Sequence, residues 1–205
     1  MTLPLSLTRR QVTITLAGSY LLLALPATRA WLEASMVTHM LVQMPLLVAL
    51  GAIAALQLDA RQQKCLLAVL GGPIACLTIT AFASTYWMLP RALDAAIDGG
   101  LTEAMKFISL PLLVGLPLAL AWRRLGLIGR GFVWTNLISM LGFLGWLYIA
   151  APVRVCNNYL ADDQVRVGWL LIEASAAIFA CWFGTLFCSS KAAQIEPAGH
   201  ALPAA

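Results

Sequence analysis

The chain has 205 residues, of which 61% are hydrophobic and only 11% are charged, and its formal net charge is +4. Soluble domains carry about 25% charged residues, so this composition excludes an ordinary soluble protein. The basic residues lie at the ends of apolar runs, where membrane topology places them, and they therefore do not indicate binding to nucleic acid.

Six segments are apolar enough to cross a membrane as helices. About 20 apolar residues span a bilayer, and the segments, in chain order, are 11–28, 34–58, 65–90, 101–122, 131–153 and 167–190. A short surface helix is expected over 91–97, after Pro90. The sequence therefore predicts an all-α, polytopic membrane protein with one domain over residues 1–190, embedded in membrane lipid. Residues 191–205 are typical of a disordered cytoplasmic tail.

The distribution of basic residues predicts that both termini face the cytoplasm. Lys and Arg are in excess in cytoplasmic loops, and eight lie on the side of the amino terminus against four on the other side, with Lys106 inside a span. The eight are Arg9, Arg10, Arg61, Lys64, Arg123, Arg124, Arg130 and Lys191, and the four are Arg29, Arg91, Arg154 and Arg166.

The first segment also permits interpretation as a signal peptide cleaved near residues 28–30. An arginine beside the cut and the lack of a soluble mature domain favour a retained span, and the other five spans keep their orientation either way.

Ionisable residues enter the predicted spans only near their outer ends. His39, Glu103, Lys106 and Glu173 all lie within roughly 10 Å of that interface at 1.5 Å per helical residue, and Asp163 lies in the loop just above Glu173. Such residues are costly inside a membrane and are therefore functional candidates. The sequence predicts a polar cavity that opens toward the outside.

Two pairings of the buried charges are open. Glu103 and Lys106 are three residues apart on one helix, a spacing that permits a local ion pair. Glu173 could neutralise Lys106 from another helix instead, since an unpaired buried charge is expensive.

The second segment contains a possible copper site. Spacings of three and four place Met36, His39, Met40 and Gln43 on one helix face, and thioether with imidazole is a ligand set that suits Cu(I). The alternative is that the methionines fill gaps in the core and that His39 hydrogen-bonds a neighbouring helix. The five cysteines show no zinc or disulfide spacing, and Cys156 stands alone in an outer loop.

Three segments resemble the CtaG-type cytochrome c oxidase assembly factors. Residues 39–51 are similar to that family's H-M-x-x-H-M helix with its following P-L-L. Residues 87–96 resemble its W-x-x-P-x-x-x-D-A-A segment, and residues 163–171 resemble its D-Q-x-x-x-G segment. The matches follow the family order and cover roughly residues 34–190.

The resemblance implies an assembly factor of the respiratory chain, in a bacterial inner membrane, with its site facing the periplasm. That family is implicated in copper delivery to the oxidase, so an oxidase subunit or a periplasmic copper carrier would be the partner. This chain departs from the paired histidines of the family, because Gln43 replaces one and Glu103 and Lys106 stand where another pair would be. The candidate copper ligands are therefore His39, Met36, Met40, Gln43 and Glu103, and the other candidate polar residues are Lys106, Asp163 and Glu173.

Other functions are less well supported by the residues. One intramembrane histidine does not provide two axial ligands for haem b; His200 is in the tail. No hydrolase-like set of side chains is visible, so we expect no enzymatic activity. A small transporter would usually need midplane polar residues or an internal repeat. The main alternative is a structural accessory subunit of a membrane complex without its own metal.

Overall fold

The computed structural model describes the backbone of residues 8–194 and the side chains of residues 8–186. Within this range every regular element is helical, which confirms the all-α prediction. We number the nine described helices α1 (Arg9–Ala24), α2 (Pro26–Glu33), α3 (Met36–Leu56), α4 (Ala60–Val69), α5 (Gly72–Met88), α6 (Pro90–Asp98), α7 (Gly100–Trp122), α8 (Leu127–Ala150) and α9 (Ala161–Gln194).

Four of these helices, α3, α7, α8 and α9, are individually long and apolar enough to cross a membrane. Two further candidates are bent pairs, α1 with α2 at 66° and α4 with α5 at 71°. The described residues therefore contain four helices that are long and apolar enough to span a membrane, or up to six if each bent pair counts as one span. These features indicate a membrane-embedded protein.

Two expected spans are broken where glycine or proline stands. The uncharged run 65–90 divides at Gly71 and Gly72, whose φ angles of 87° and 91° lie in the left-handed region, which glycine adopts readily. The run 11–28 divides at Pro26, which has no N–H to continue α1 and opens α2 instead.

The remaining bounds differ by a few residues. The short helix after Pro90 is present as α6. The fifth predicted span, 131–153, corresponds to α8, which begins at Leu127 and ends at Ala150. The sixth, 167–190, corresponds to α9, which begins at Ala161 and extends to Gln194, into the expected tail. The rest of that tail, residues 195–205, lies outside the described residues.

Prolines also set the shape of the two central helices. In α3 a π turn over His39–Gln43 closes on Met44, directly before Pro45, and in α7 a π turn over Leu110–Gly115 closes on Leu116, directly before Pro117. Pro111 cannot donate to the Phe107 carbonyl as an α-helical residue would. The Tyr20 hydroxyl of α1 donates to that carbonyl instead, at 3.2 Å, and so ties α1 to α7.

Glycines let two helix pairs pack backbone against backbone. A Cβ on Gly115 of α7 would overlap the Val48 carbonyl oxygen of α3, and one on Gly51 would overlap the Pro111 carbonyl oxygen. The α8–α9 pair meets in the same way at Gly145 and Gly168. Small residues at such contacts are typical of membrane helices.

The two ends of the bundle differ. We call the end formed by α2, α6 and residues 151–160 the loop end, and the end formed by α4 and residues 123–126 the opposite end. The larger hydrophobic core lies toward the loop end and includes Met36, Met40, Trp87, Tyr148 and Leu171.

Candidate functional site

A fully buried lysine is the centre of a cluster of polar side chains inside the described bundle. Lys106 of α7 has 0% of its surface exposed. Its ammonium donates to Glu33 Oε1 at 2.6 Å, to Gln43 Oε1 at 3.0 Å and to His39 Nε2 at 3.1 Å. An ammonium has three N–H donors, so all of them are used. The charge is therefore neutralised by Glu33 and its hydrogen bonds are complete.

The same contacts determine which nitrogen of His39 carries a proton. Because an ammonium can only donate, Nε2 must accept, and the proton of a neutral imidazole then lies on Nδ1. Nδ1 is 2.7 Å from the Tyr159 hydroxyl and donates to it. Gln43 completes the network through Nε2, which donates to Glu33 Oε1 at 3.1 Å. We call Glu33, His39, Gln43, Lys106 and Tyr159 the Lys106 cluster.

Local structure at the start of α3 brings these side chains together. The Ser35 hydroxyl accepts a hydrogen bond from the Val37 amide and so caps α3. The Thr38 hydroxyl donates to the Leu32 carbonyl at 2.6 Å, which holds the end of α2 against the first turn of α3. Glu33, the last residue of α2, is thereby held where it can reach Lys106.

Residues 151–160 fold over the cluster and are fastened by two side chains. The Asp94 carboxylate of α6 accepts from the amides of Asn157 at 2.8 Å and Asn158 at 3.3 Å. Gln164 of α9 accepts from the Val155 amide at 2.8 Å and donates to the Tyr148 carbonyl at 3.1 Å. The loop is therefore an ordered part of the site, and it supplies Tyr159.

Burial changes the acidity of two groups in this loop. The pKa of the Cys156 thiol is raised to about 12, mainly by burial and also by the Asp94 carboxylate, with a smaller opposing effect of the nearby Tyr148 hydroxyl. The pKa of the Tyr159 hydroxyl is raised above its ordinary value, again mainly by burial, and then by Glu33 and other neighbours that include Asp163. Both groups are protonated at neutral pH.

The structure brings some of the predicted site residues together and separates others. Met36, His39, Met40 and Gln43 are all buried, with exposures of 0 to 1%, so they share the inward face of α3. His39, Gln43 and Lys106 are buried between helices. Glu103, another of the predicted polar residues, instead lines a cavity of about 250 Å³ together with Arg29.

Neither predicted partner of Lys106 contacts it. Glu103 pairs with Arg29 of α2, although it is only one turn from Lys106 on α7. Glu173 is exposed on the outer face of α9, with no described partner. Asp163 lies in the first turn of α9, and its charge contributes to the raised pKa of Tyr159.

Glu33 could not be identified as a site residue from the sequence, because it lies just outside the predicted span 34–58. The bend at Pro26 and the hydrogen bond of Thr38 bring it into the bundle. Asp94 and Gln164 could have been found, because each lies in a segment that carries the family resemblance. Tyr159 lies among the polar residues 157–164, beside the third of these segments.

The Lys106 cluster does not fit a bound copper ion in this arrangement. The Nε2 lone pair of His39 points at a lysine ammonium and Nδ1 carries a proton, so neither ring nitrogen is free. No group of three or more His, Cys, Asp or Glu side chains that could hold a metal occurs among the described residues. Copper could bind His39 only after Lys106 had moved away.

Comparisons with known proteins add no relative to this picture. No family model, no curated protein and no solved structure matches the chain. The fold and site define a helical membrane protein with a paired, buried lysine cluster near one end of its bundle.

We predict that Cys156 resists thiol reagents in the folded protein. Its side chain is 1% exposed, and the thiolate, which is the reactive form, is scarce far below a pKa of about 12. Two variants are compared: one keeps Cys156 as its single cysteine, and the other carries Val153→Cys as its single cysteine at an exposed position. Alkylation of Cys156 at pH 7.5 should be at least ~100-fold slower than alkylation of the cysteine at position 153. The rate should rise as the pH increases toward 12. Fast labelling at pH 7.5 would show that residues 151–160 do not cover this thiol.

We also predict that Asp94→Ala loosens residues 151–160. The carboxylate holds two backbone amides, and each hydrogen bond to a charged group contributes about 1.5–3 kcal/mol. Because ~1.4 kcal/mol corresponds to a tenfold change in population, tryptic cleavage after exposed Arg154 should be about tenfold faster or more.

Asp98→Ala is the matched control for this variant. Asp98 accepts one exposed hydrogen bond from the Asn158 side chain, at 3.1 Å. Cleavage after Arg154 should be nearly unchanged in it. Equal cleavage rates in Asp94→Ala and the wild type would mean that Asp94 does not hold the loop.

Proposed function

We propose that this chain is a membrane-embedded assembly factor for a respiratory cytochrome c oxidase, and that it acts through contacts with a partner membrane polypeptide. One observation carries the proposal: the three segments that resemble the CtaG-type factors all hold the same loop. His39, from the first segment, bonds Tyr159, Asp94, from the second, bonds Asn157 and Asn158, and Gln164, from the third, bonds Val155.

Convergence of this kind is informative because the segments are far apart in sequence. Chance similarity of three short apolar segments would not require their polar residues to meet at one place. Here each of them contributes a polar side chain to residues 151–160, so the similarity concerns a single structural unit.

The outer face of α9 supports a polypeptide partner. Glu173 is exposed there within a helix that is otherwise apolar around it. A carboxylate on the lipid side of a span is costly, and a partner helix that carries a basic or hydrogen-bonding side chain would satisfy it. An oxidase subunit that passes through the same membrane is a partner of this kind.

The proposed orientation places the loop end in the periplasm and the opposite end in the cytoplasm, with six spans. It is supported by the excess of Lys and Arg at the opposite end. In intact cells a membrane-impermeant thiol reagent should label a cysteine at Val153 and should label one at Gln62 only after permeabilisation. The reverse pattern would contradict this topology.

A second candidate function, a metal-free accessory subunit of a membrane complex, is favoured by the closed state of the Lys106 cluster. Both candidates predict that His39 is not a copper ligand in the resting protein. Wild type and His39→Ala should therefore retain equal amounts of Cu(I) after purification from copper-replete membranes. A large loss of copper in His39→Ala alone would restore the metallochaperone interpretation.

Deletion of the gene distinguishes the two candidates. An assembly factor predicts normal synthesis of oxidase polypeptides but a lower content of active, copper-loaded oxidase, which wild type restores and Asp94→Ala restores less well. Added copper should not restore activity if the factor acts by protein contact. Normal oxidase activity, with loss of another membrane complex, would instead establish an accessory subunit.

A further inference from the structure

A polar cavity lies at the opposite end of the bundle, far from the Lys106 cluster. It has a volume of about 260 Å³ between the end of α3, the start of α4 and the end of α7. Three cationic side chains, Lys64, Arg123 and Arg124, line it together with Gln63, and Leu56 and Leu120 supply apolar surface. It therefore combines concentrated positive charge with an apolar wall.

The three cations have no counter-charge among the described side chains. The ion pairs of the described chain join Arg9 with Asp59, Arg29 with Glu103 and Lys106 with Glu33. Asp59, the acid nearest to the cavity in sequence, is thus engaged with α1. Three positive charges that face one small cavity repel each other, and an anion between them would relieve that repulsion.

The carbonyl groups at the ends of the adjoining helices do not account for the cations either. The Gln63 side chain donates to the carbonyls of Ala55 and Leu58, at 3.3 and 3.0 Å, and so satisfies the end of α3. The end of α7 is closed by the backbone, since the amides of Arg124 and Leu125 donate to the Ala121 carbonyl. The cationic groups are therefore left to bind something outside the described chain.

We propose that this cavity binds the phosphate of an anionic phospholipid headgroup. Phosphate accepts hydrogen bonds from arginine and lysine in a charge-assisted manner, and basic pockets at the ends of membrane helices bind such headgroups. The apolar wall at Leu56 and Leu120 suits the glycerol and first acyl carbons. A free phosphate ion is also negatively charged, but it has no apolar atoms that could contact Leu56 and Leu120.

The position of α4 agrees with a lipid ligand. The helix bends by 71° from α5, buries Leu67 and exposes Arg61 and Lys64. This amphipathic pattern is typical of a helix that lies along a membrane surface. Lys64 lines the cavity from this helix.

Native mass spectrometry of the purified full-length chain tests the proposal. The protein is delipidated in detergent and titrated with phosphatidylglycerol, with phosphatidylcholine or with inorganic phosphate. We expect saturable binding of phosphatidylglycerol, at least tenfold weaker binding of phosphatidylcholine, and no competition by millimolar inorganic phosphate. Competition by inorganic phosphate as strong as by the lipid would overturn the lipid assignment in favour of a free anion.

Matched substitutions separate a site from general attraction of positive charge. The variant with Lys64→Gln, Arg123→Gln and Arg124→Gln should lose at least tenfold in affinity for phosphatidylglycerol. Arg61→Gln with Arg130→Gln removes two basic residues that do not line the cavity and should change affinity less than twofold. The loss of affinity for phosphatidylglycerol is then divided by the number of charges removed. If this value is the same for both variants, general electrostatic attraction explains the binding and the proposal fails.

Single substitutions protect the test against misfolding. Thermal unfolding in detergent is measured for each variant, and a triple variant that unfolds early is replaced by Arg124→Gln alone. That single variant should still weaken phosphatidylglycerol binding by about threefold or more. Unchanged affinity in a folded Arg124→Gln protein would contradict the assigned role of this arginine in the cavity.

Discussion

Gly115→Ala should destabilise the bundle by about 3 kcal/mol, the upper part of the usual range for overpacking. The new Cβ would overlap the Val48 carbonyl oxygen of α3 and would lie 2.9 Å from the Ala52 amide nitrogen. Both obstacles are backbone atoms of a regular helix, so no side chain can rotate to make room. The α3–α7 contact must open, and the π turn that ends at Gly115 must shift with it. Unfolding by SDS titration in mixed micelles measures the effect.

Gly18→Ala is the matched control, because a Cβ on Gly18 of α1 would meet nothing within 4 Å. Alanine is better than glycine in a helix interior by about 0.5–1 kcal/mol. This variant should therefore be as stable as the wild type or slightly more stable. A Gly115→Ala protein with wild-type stability would show that α3 and α7 do not meet at this glycine.

The helical class, and most of the segments apolar enough to enter a membrane, could be predicted from the sequence because apolar length is a direct requirement of the bilayer. The breaks at Pro26 and at Gly71–Gly72 were less visible, since counts of charged residues ignore the residues that interrupt a helix. The uncharged run 65–90 contains two glycines with positive φ angles, followed directly by Pro73, and these residues could have been used to divide it. Composition therefore predicts which segments enter a membrane better than where each one bends.

The partners of the buried charges could not be predicted, because the spacing of residues along one helix does not show which neighbouring helix each side chain contacts. Glu103 and Lys106 are three residues apart, yet each binds a residue of α2, Arg29 and Glu33 respectively. The short helix α2 thus separates two charges that local spacing would have paired. This arrangement depends on the bend at Pro26 and on tertiary contacts, which periodicity does not contain.

The burial of Cys156 was equally difficult to predict from the sequence. Cys156 stands in a connection between two spans, where solvent access is the ordinary expectation. It is buried because Asp94 and Gln164 accept hydrogen bonds from the backbone of residues 151–160 and hold this loop against the bundle. The sequence contained both polar residues in segments already singled out, but it did not show that they bind the same loop.

Glu33→Ala should have the largest effect of any single substitution in the Lys106 cluster. It removes the only carboxylate that contacts the Lys106 ammonium among the described residues. Removal of one partner of a buried ion pair typically costs about 3–5 kcal/mol, because the other charge remains buried without compensation. Thermal or SDS-induced unfolding should show a loss of this size. Glu173→Ala is the control, since its exposed carboxylate has no described partner, and it should not lower stability by more than about 0.5 kcal/mol.

Removal of both charges should restore much of that stability. In a Glu33→Leu, Lys106→Met variant no buried charge is left uncompensated, and apolar replacement of a buried ion pair is often neutral or stabilising. Contacting residues show coupling energies of about 0.5–3 kcal/mol in a double-mutant cycle, and we expect this pair to lie at the upper end. His39 and Gln43 then lose a hydrogen-bond donor, so recovery should be incomplete. Strictly additive effects of the two substitutions would mean that Lys106 and Glu33 are not paired, and the arrangement of the whole cluster would have to be revised.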